Sequence, residues 1–152
     1  MIQRIQSIYL FLAAVACVAC MSMGIGRYYT AEGEGIARMY NLWLAYADGH
    51  VSLYPWALFG IMLVCATVLL VSIFLFRKRM RQVRLCVFCL ILQVGWYIAY
   101  GGLAWYRMSQ MQAQFRPEWP AALPAIALVL TWLAMRGITR DELLVRSLDR
   151  LR

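Results

Sequence analysis

The chain has 152 residues, of which 64% are hydrophobic and only 14% are charged, and its formal net charge is +8. A soluble domain averages about 25% charged and about 45–50% apolar residues. This composition excludes a disordered chain, a collagen-like chain and an ordinary water-soluble enzyme. It indicates an all-α integral membrane protein.

Four apolar stretches punctuate the chain, at residues 8–26, 55–76, 85–105 and 121–138. Each is close to the length of about 20 residues that crosses the hydrocarbon core of a bilayer. Short links between such spans predict an up-down four-helix bundle, so we expect residues 1–152 to form a single four-span membrane domain. A cleaved signal peptide is the alternative interpretation of the first stretch.

The distribution of charge predicts the orientation of these spans, because Lys and Arg accumulate in cytoplasmic loops. The N-terminus, the link from Arg77 to Arg84 and the end of the chain from Arg136 carry eleven basic and three acidic residues. The two other connections carry four of each. We therefore expect a multi-pass membrane protein with both termini in the cytoplasm. The basic residues then attract anionic lipid, and we expect no nucleic-acid partner.

The first outer connection, residues 27–54, has two interpretations. Apolar residues at helical spacing between Ile36 and Ala47 fit an amphipathic surface helix. Aromatic-rich runs at 40–46 and 50–54 instead fit two strands around Asp48-Gly49, a dipeptide that favours hairpin turns. We favour the short hairpin. In the second outer connection, residues 106–120, two prolines argue against a helix just before the fourth span.

The tail, residues 139–152, begins with a sequence pattern that is typical of the N-terminus of a separate helix. Thr139 and Glu142 have the spacing of a capping box, and Leu144, Leu148 and Leu151 fall on one face. Arg146 lies four residues after Glu142, which is a favourable helical pair. We therefore predict a cytoplasmic amphipathic C-terminal helix that lies along the membrane and serves as a lipid anchor or as a docking site.

The five cysteines include two C-x-x-C pairs, Cys17/Cys20 and Cys86/Cys89. In a soluble protein such pairs suggest zinc or redox chemistry. Here the predicted spans separate them by about 15 Å in depth, too far for a common tetrahedral site. We interpret Cys17 and Cys20 as small apolar fillers between helices, and we predict no catalytic residue, no metal site and no cofactor. A quinone-linked thiol oxidoreductase that uses Cys86 and Cys89 is one alternative.

No Asp or Glu lies within a predicted span, which argues against a pump or a coupled transporter. Gln93 and Thr131 are expected to form hydrogen bonds between helices. Gly95 and Ala99, together with Gly101 and Gly102, are expected to give the third span a close-packing face. A small-molecule or lipid transporter with a polar cavity near Gln93 is the other alternative function.

Both ends of the chain carry long, specific motifs. Residues 1–10 read MIQRIQSIYL, residues 138–152 read ITRDELLVRSLDRLR, and residues 73–79 run from IFLFRKR into QVRLC at 82–86. These segments resemble a family of small four-span inner-membrane proteins of Bacteroidota that is classed as a domain of unknown function. The resemblance implies the membrane topology and no activity.

The polar residues of these motifs are predicted to share the cytoplasmic side, which is typical of a docking face. We therefore predict a non-enzymatic accessory or assembly subunit of a larger membrane complex. Its expected partners are the lipid bilayer and either a membrane protein or a second copy of the chain. The predicted docking residues are Arg4, Arg140, Asp141, Glu142, Arg146, Asp149 and Arg150.

Overall fold

A computed structural model describes residues 2–75 and 78–150. It contains four long helices, α1 (Ile2–Ser22), α2 (Trp56–Phe74), α3 (Arg79–Met111) and α4 (Leu123–Arg150). Each is long and apolar enough to cross a membrane, which confirms the four apolar helices predicted from the sequence. Helix α3 is also longer than predicted, since its 33 residues extend about 50 Å and exceed the hydrocarbon core of about 30 Å.

The four helices pack in a ring, in which α1 contacts α2 and α4, and α3 contacts the same two helices. The inward face of α2 repeats every three or four residues, as a helix with one buried stripe requires. On α3 the inward residues are Gln82, Cys86, Cys89, Gln93, Trp96 and Tyr100. Large apolar side chains such as Phe74, Ile91 and Ile98 point outward, as is typical of helices surrounded by lipid.

The expected close-packing face of α3 is wrong at its three glycines, whereas Ala99 packs against the core. A Cβ atom added at Gly95, Gly101 or Gly102 would meet nothing within 4 Å. These glycines lie off the buried stripe of α3, which includes Trp96 and Tyr100.

The sequence-based prediction did not include a sheet of this size. Five antiparallel strands lie in the order β4-β3-β2-β1-β5, outside the helices. Four come from the first connection, β1 (Gly24–Tyr29), β2 (Gly35–Tyr40), β3 (Leu44–Tyr46) and β4 (Val51–Ser52). The fifth, β5 (Gln114–Pro117), comes from the second connection and pairs with β1. The fold is therefore not all-α, and the first span, expected to reach residue 26, ends at Ser22.

The preferred hairpin around Asp48-Gly49 is present, and the surface helix is absent from residues 27–54. Strands β3 and β4 pair across this turn, where Tyr46 N donates to His50 O at 2.9 Å. Gly49 has a φ of +81°, which a residue with a side chain rarely adopts. Glycine adopts this conformation without strain, which is why an Asp-Gly pair favours the tight turn of a hairpin.

One face of the sheet covers the ends of the helices. Tyr28, Met39 and Leu44 are fully buried on this face. The Tyr100 hydroxyl of α3 donates to the carbonyl of Ile25 at 2.7 Å, and the ring of Phe115 packs between Tyr28 and Tyr100. The opposite face is thus turned away from the bundle.

The tail does not form a separate helix. Helix α4 runs without interruption from Leu123 to Arg150. Thr139, the predicted cap, instead lies inside the helix, where its hydroxyl donates to the carbonyl of Met135 at 2.9 Å. Because this acceptor belongs to the preceding turn, the hydroxyl is not available to start a new helix, and the capping box is wrong.

Candidate functional site

The two ends of the chain meet beside α4. Gln6 Nε2 donates to Asp141 Oδ2 at 2.7 Å, and Gln6 itself is 7% exposed. The glutamine lies over Gly137, where an added Cβ would come within 3.2 Å of its side chain. The lack of a side chain at 137 therefore allows α1 and α4 to approach, and the two terminal motifs form one structure.

Beyond this contact, α4 presents apolar side chains outside the bundle. Leu143, Leu144 and Val145 are 63%, 53% and 43% exposed. They follow four charged residues, which separate them from the apolar part of the helix: Arg136, Arg140, Asp141 and Glu142. This surface therefore lies beyond residue 138, where the sequence analysis ended the fourth apolar stretch.

A groove of about 520 Å³ runs between this part of α4 and the start of α3. Its lining combines Lys78, Arg79 and Arg81 with Met80, Glu142 and Val145. We call this groove and residues 143–145 the basic end surface.

The structure describes the side chains of three of the seven predicted docking residues. Asp141 is engaged with Gln6, Glu142 lines the groove, and Arg140 is exposed on α4. The side chains of the remaining four lie outside the described part of the structure: Arg4, Arg146, Asp149 and Arg150.

The centre of the bundle holds a layer of thiols and polar groups from all four helices. The thiol of Cys65 on α2 lies 3.9 Å from the carbonyl of Cys89 on α3, and Cys17 on α1 belongs to the same buried cluster. Gln93 Nε2 lies 3.5 Å from both Cys65 Sγ and Thr131 Oγ1 of α4. All five residues are 0% exposed. The layer therefore fills the space between the helices.

The predicted separation of the two cysteine pairs is wrong for Cys17 and Cys89. The sequence placed Cys89 near the start of the third span, but α3 begins at Arg79, ten residues earlier. Ten residues raise Cys89 by about 15 Å along the helix, to the level of Cys17. Even so, within residues 2–75 and 78–150 no group of three or more His, Cys, Asp or Glu side chains has the arrangement of a metal site.

A second buried network joins the sheet to the bundle. Asn41, in the turn between β2 and β3, is 0% exposed and donates from Nδ2 to the carbonyl of Cys20 at 2.7 Å. Its Oδ1 accepts a hydrogen bond of 3.0 Å from Trp96 Nε1. Sequence reasoning missed Asn41, although a lone asparagine within an aromatic run was the available signal.

The outward face of the sheet carries three arginines in register. Arg27 of β1 lies directly opposite Arg38 of β2 on one side and Arg116 of β5 on the other. Glu118 binds both Arg27 and Arg38, the latter through Nη2 at 2.9 Å. The hydrogen bond between Arg38 and Glu118 is the main reason that the pKa of the Arg38 guanidinium is raised. We call these three residues the arginine row.

The comparison with known proteins identifies the family. No curated protein matches the chain. Residues 2–151 match the family described as "Domain of unknown function (DUF4293)", which covers nearly the whole chain, including both terminal motifs and both outer connections. This extent of match confirms the suspected kind of family, and the chain therefore belongs to the DUF4293 family.

Proposed function

We propose that this protein is a non-enzymatic, multi-pass protein of the bacterial inner membrane that serves as an accessory or assembly subunit of a larger membrane complex. In this proposal the helices form an up-down bundle with both termini in the cytoplasm. The sheet then lies on the outer side, and the basic end surface lies on the cytoplasmic side.

The observation that carries the proposal is the exposure of Leu143, Leu144 and Val145 beyond the charged residues of α4. Apolar side chains exposed to water are unfavourable, and an exposed apolar patch rimmed by polar residues is typical of a protein interface. The adjacent groove supplies Arg79 and Arg81. Arginine is enriched in such interfaces because its guanidinium binds carboxylates in two-pronged geometry.

The centre of the bundle supports this role over that of a transporter. A transporter near Gln93 would need a polar cavity between the helices. Instead Gln93 is 0% exposed and is in hydrogen-bond contact with Cys65 and Thr131. The space that a substrate would occupy is thus filled by side chains of α2, α3 and α4.

The cysteines likewise favour a structural over a redox role. Cys86 lies 4.0 Å from the Ser72 hydroxyl, whereas Cys89 contacts Cys65, so the two thiols of the pair face different partners. Both are 0% exposed. A thiol oxidoreductase needs a reactive thiolate that its substrate can reach.

The topology is tested by labelling cysteines introduced at the two ends of the bundle. Ser109, near the end of α3, and Ser147, on α4, are both exposed. In intact cells with a permeable outer membrane, an impermeant maleimide should label Ser109→Cys and leave Ser147→Cys unlabelled. Labelling of Ser147→Cys from outside would overturn the proposed orientation.

The partner is tested by purification in mild detergent of the full chain and of two matched variants. Leu143→Ser/Leu144→Ser alters the basic end surface, and Leu53→Ser alters a leucine that is 64% exposed in the first connection. The same co-purifying membrane protein, or a second tagged copy, should be recovered with the wild type and with Leu53→Ser and lost with the double variant. Repeated recovery of the wild-type protein alone would reject the subunit proposal.

A further inference from the structure

The groove of the basic end surface has an apolar side chain on each of its two helical walls. Met80 of α3 and Val145 of α4 both line it, and they are 47% and 43% exposed. Met80 lies five residues before the third apolar stretch and Val145 seven residues after the fourth, about 8 and 10 Å along their helices. Acyl chains that surround the apolar stretches therefore end short of this pair, so only another apolar group can cover it.

Cations outnumber carboxylates in the same groove. Lys78, Arg79 and Arg81 line it together with one carboxylate, that of Glu142, which leaves two positive charges in excess. Both ion pairs in the described part of the chain are formed by Glu118 at the sheet, so no described carboxylate lies within ion-pair distance of these three cations. The two connections that form the sheet, by contrast, carry four basic and four acidic residues. A group that binds in the groove is therefore expected to be acidic.

The secondary structure around the groove restricts how a partner can bind. Its walls come from α3 and α4, whereas the five strands lie in the sheet at the opposite ends of these helices. An extended segment therefore has no strand edge here to which its backbone could add. An amphipathic helix binds through its side chains, with its apolar face in the groove. Such a helix can place an apolar residue between Met80 and Val145 and its carboxylates at the cations beside them.

We infer that the partner at the basic end surface contributes an acidic amphipathic helix, an inference that rests on the proposed function. A second copy of the chain fits less well, because a two-fold pair would place one basic groove against the other and bring like charges together. The anionic surface of a membrane has the required charge, but its acyl chains do not extend to Met80 and Val145. The acidic helix matches both the charge and the apolar pair.

The test measures binding of a synthetic probe to the full chain in an uncharged maltoside detergent. The probe is a fluorescent amphipathic helical peptide with a leucine stripe flanked by Glu, and its matched control has Gln in place of every Glu. Fluorescence anisotropy should show saturable binding of the Glu peptide, about tenfold tighter than that of the Gln peptide, because charge-assisted bonds to the arginines are lost in the control. Equal affinities, or no saturable binding of the Glu peptide, would overturn the inference.

Variants assign the binding to the groove. Arg81→Gln should weaken binding of the Glu peptide severalfold, whereas Arg116→Gln, an equal change of charge at an exposed position of the sheet, should leave it unchanged. Met80→Ser should weaken binding of both peptides, because an apolar contact is lost. Should Arg81→Gln fail to insert, Arg81→Lys keeps the charge, lacks the planar fork and should still bind more weakly. Equal losses in Arg81→Gln and Arg116→Gln would mean that only net charge matters and would reject the groove.

The other occupants and the proposed function are tested separately. In nanodiscs of phosphatidylcholine with phosphatidylglycerol the Glu peptide should still bind, and its displacement by the anionic lipid would assign the groove to the membrane surface instead. Self-association of the chain that Arg81→Gln abolishes would assign it to a second copy. A membrane protein that co-purifies equally with the wild type and with Arg81→Gln would reject the acidic helix and leave the subunit proposal intact. Recovery of the wild type alone would reject both.

Discussion

Gln6 Nε2 and Asp141 Oδ2 are joined by a hydrogen bond of 2.7 Å across a sequence separation of 135 residues. The bond ties the first turns of α1 to the part of α4 that continues beyond its apolar segment. A carboxylate acceptor makes such a bond stronger than one between neutral groups. It holds the two terminal motifs of the chain in one fixed arrangement.

Replacing Gln6 should therefore loosen the end of α4. Gln6→Ala removes the donor to Asp141, and we expect the free energy of unfolding to fall by about 1–3 kcal/mol. Amide hydrogen exchange measured by mass spectrometry should accelerate across residues 137–147. Gln110→Ala is the control, since Gln110 is exposed and its bond to Tyr106 is 3.3 Å long. Equal exchange in both variants would show that the Gln6 bond does not hold α4.

Two glycines in helices should respond oppositely to alanine. At Gly137 the new Cβ would lie 3.2 Å from the Gln6 side chain, which must move and so weaken its bond to Asp141. At Gly95 the new Cβ meets nothing within 4 Å. We expect Gly95→Ala to stabilise α3 by about 0.5–1 kcal/mol, because alanine loses less backbone entropy than glycine. Thermal unfolding in detergent checks both variants, and a gain in stability for Gly137→Ala would contradict the close packing at Gln6.

Substitution of Asn41 should reduce the stability of the protein more than substitution of most other residues in the first outer connection. Asn41→Leu leaves the buried Trp96 indole N–H without its acceptor and leaves the Cys20 carbonyl with only the longer bond from Met23 N. Each unsatisfied buried group costs about 1–3 kcal/mol. Leu42→Ala, at the adjacent half-buried position, should be much milder. The measurement is again the thermal midpoint, and comparable losses in the two variants would show that the network adds nothing to stability.

The native thiols should be unreactive while the protein is folded. Cys17, Cys20, Cys65, Cys86 and Cys89 are all 0% exposed. A maleimide added to the purified protein should modify none of them before unfolding, whereas it should modify Ser109→Cys at once. Cys86→Ser and Cys89→Ser should leave cell growth unchanged. Rapid modification of Cys86 or Cys89, or a growth defect when either is replaced, would support the alternative function of a thiol oxidoreductase.

The helices were predictable from the sequence because a long uncharged apolar run forms few structures other than a membrane-spanning helix. The start of α3 was less clear. Arg79, Arg81 and Arg84 interrupt the apolar pattern there, yet the helix already includes them. Charged residues end the segment of a helix that can lie in lipid, but they do not end the helix itself. The sequence analysis therefore placed the start of this helix six residues too late. That error separated Cys17 from Cys89 and concealed the thiol layer.

The sheet was only partly predictable. The hairpin at Asp48-Gly49 has a local signal, and the structure contains it. Strand β1 has no such signal, because Gly24–Tyr29 continues the apolar run of α1 and resembles the end of a span. Its partner β5 lies in the other connection, where Arg116-Pro117 gave only an argument against helix. The arginine row follows from this long-range pairing, so no short pattern could show it.

The pairing of β1 with β5 also has a consequence for synthesis. About 85 residues separate Tyr29 from Gln114, which is roughly 4 to 17 seconds of translation at about 5–20 residues per second. During that interval one edge of β1 has no neighbour, and an open strand edge readily pairs with another chain. Arg27 on β1 keeps a positive charge at this edge, and like charges on two nascent chains repel. We therefore expect Arg27 to disfavour pairing between the open β1 edges of two unfinished chains.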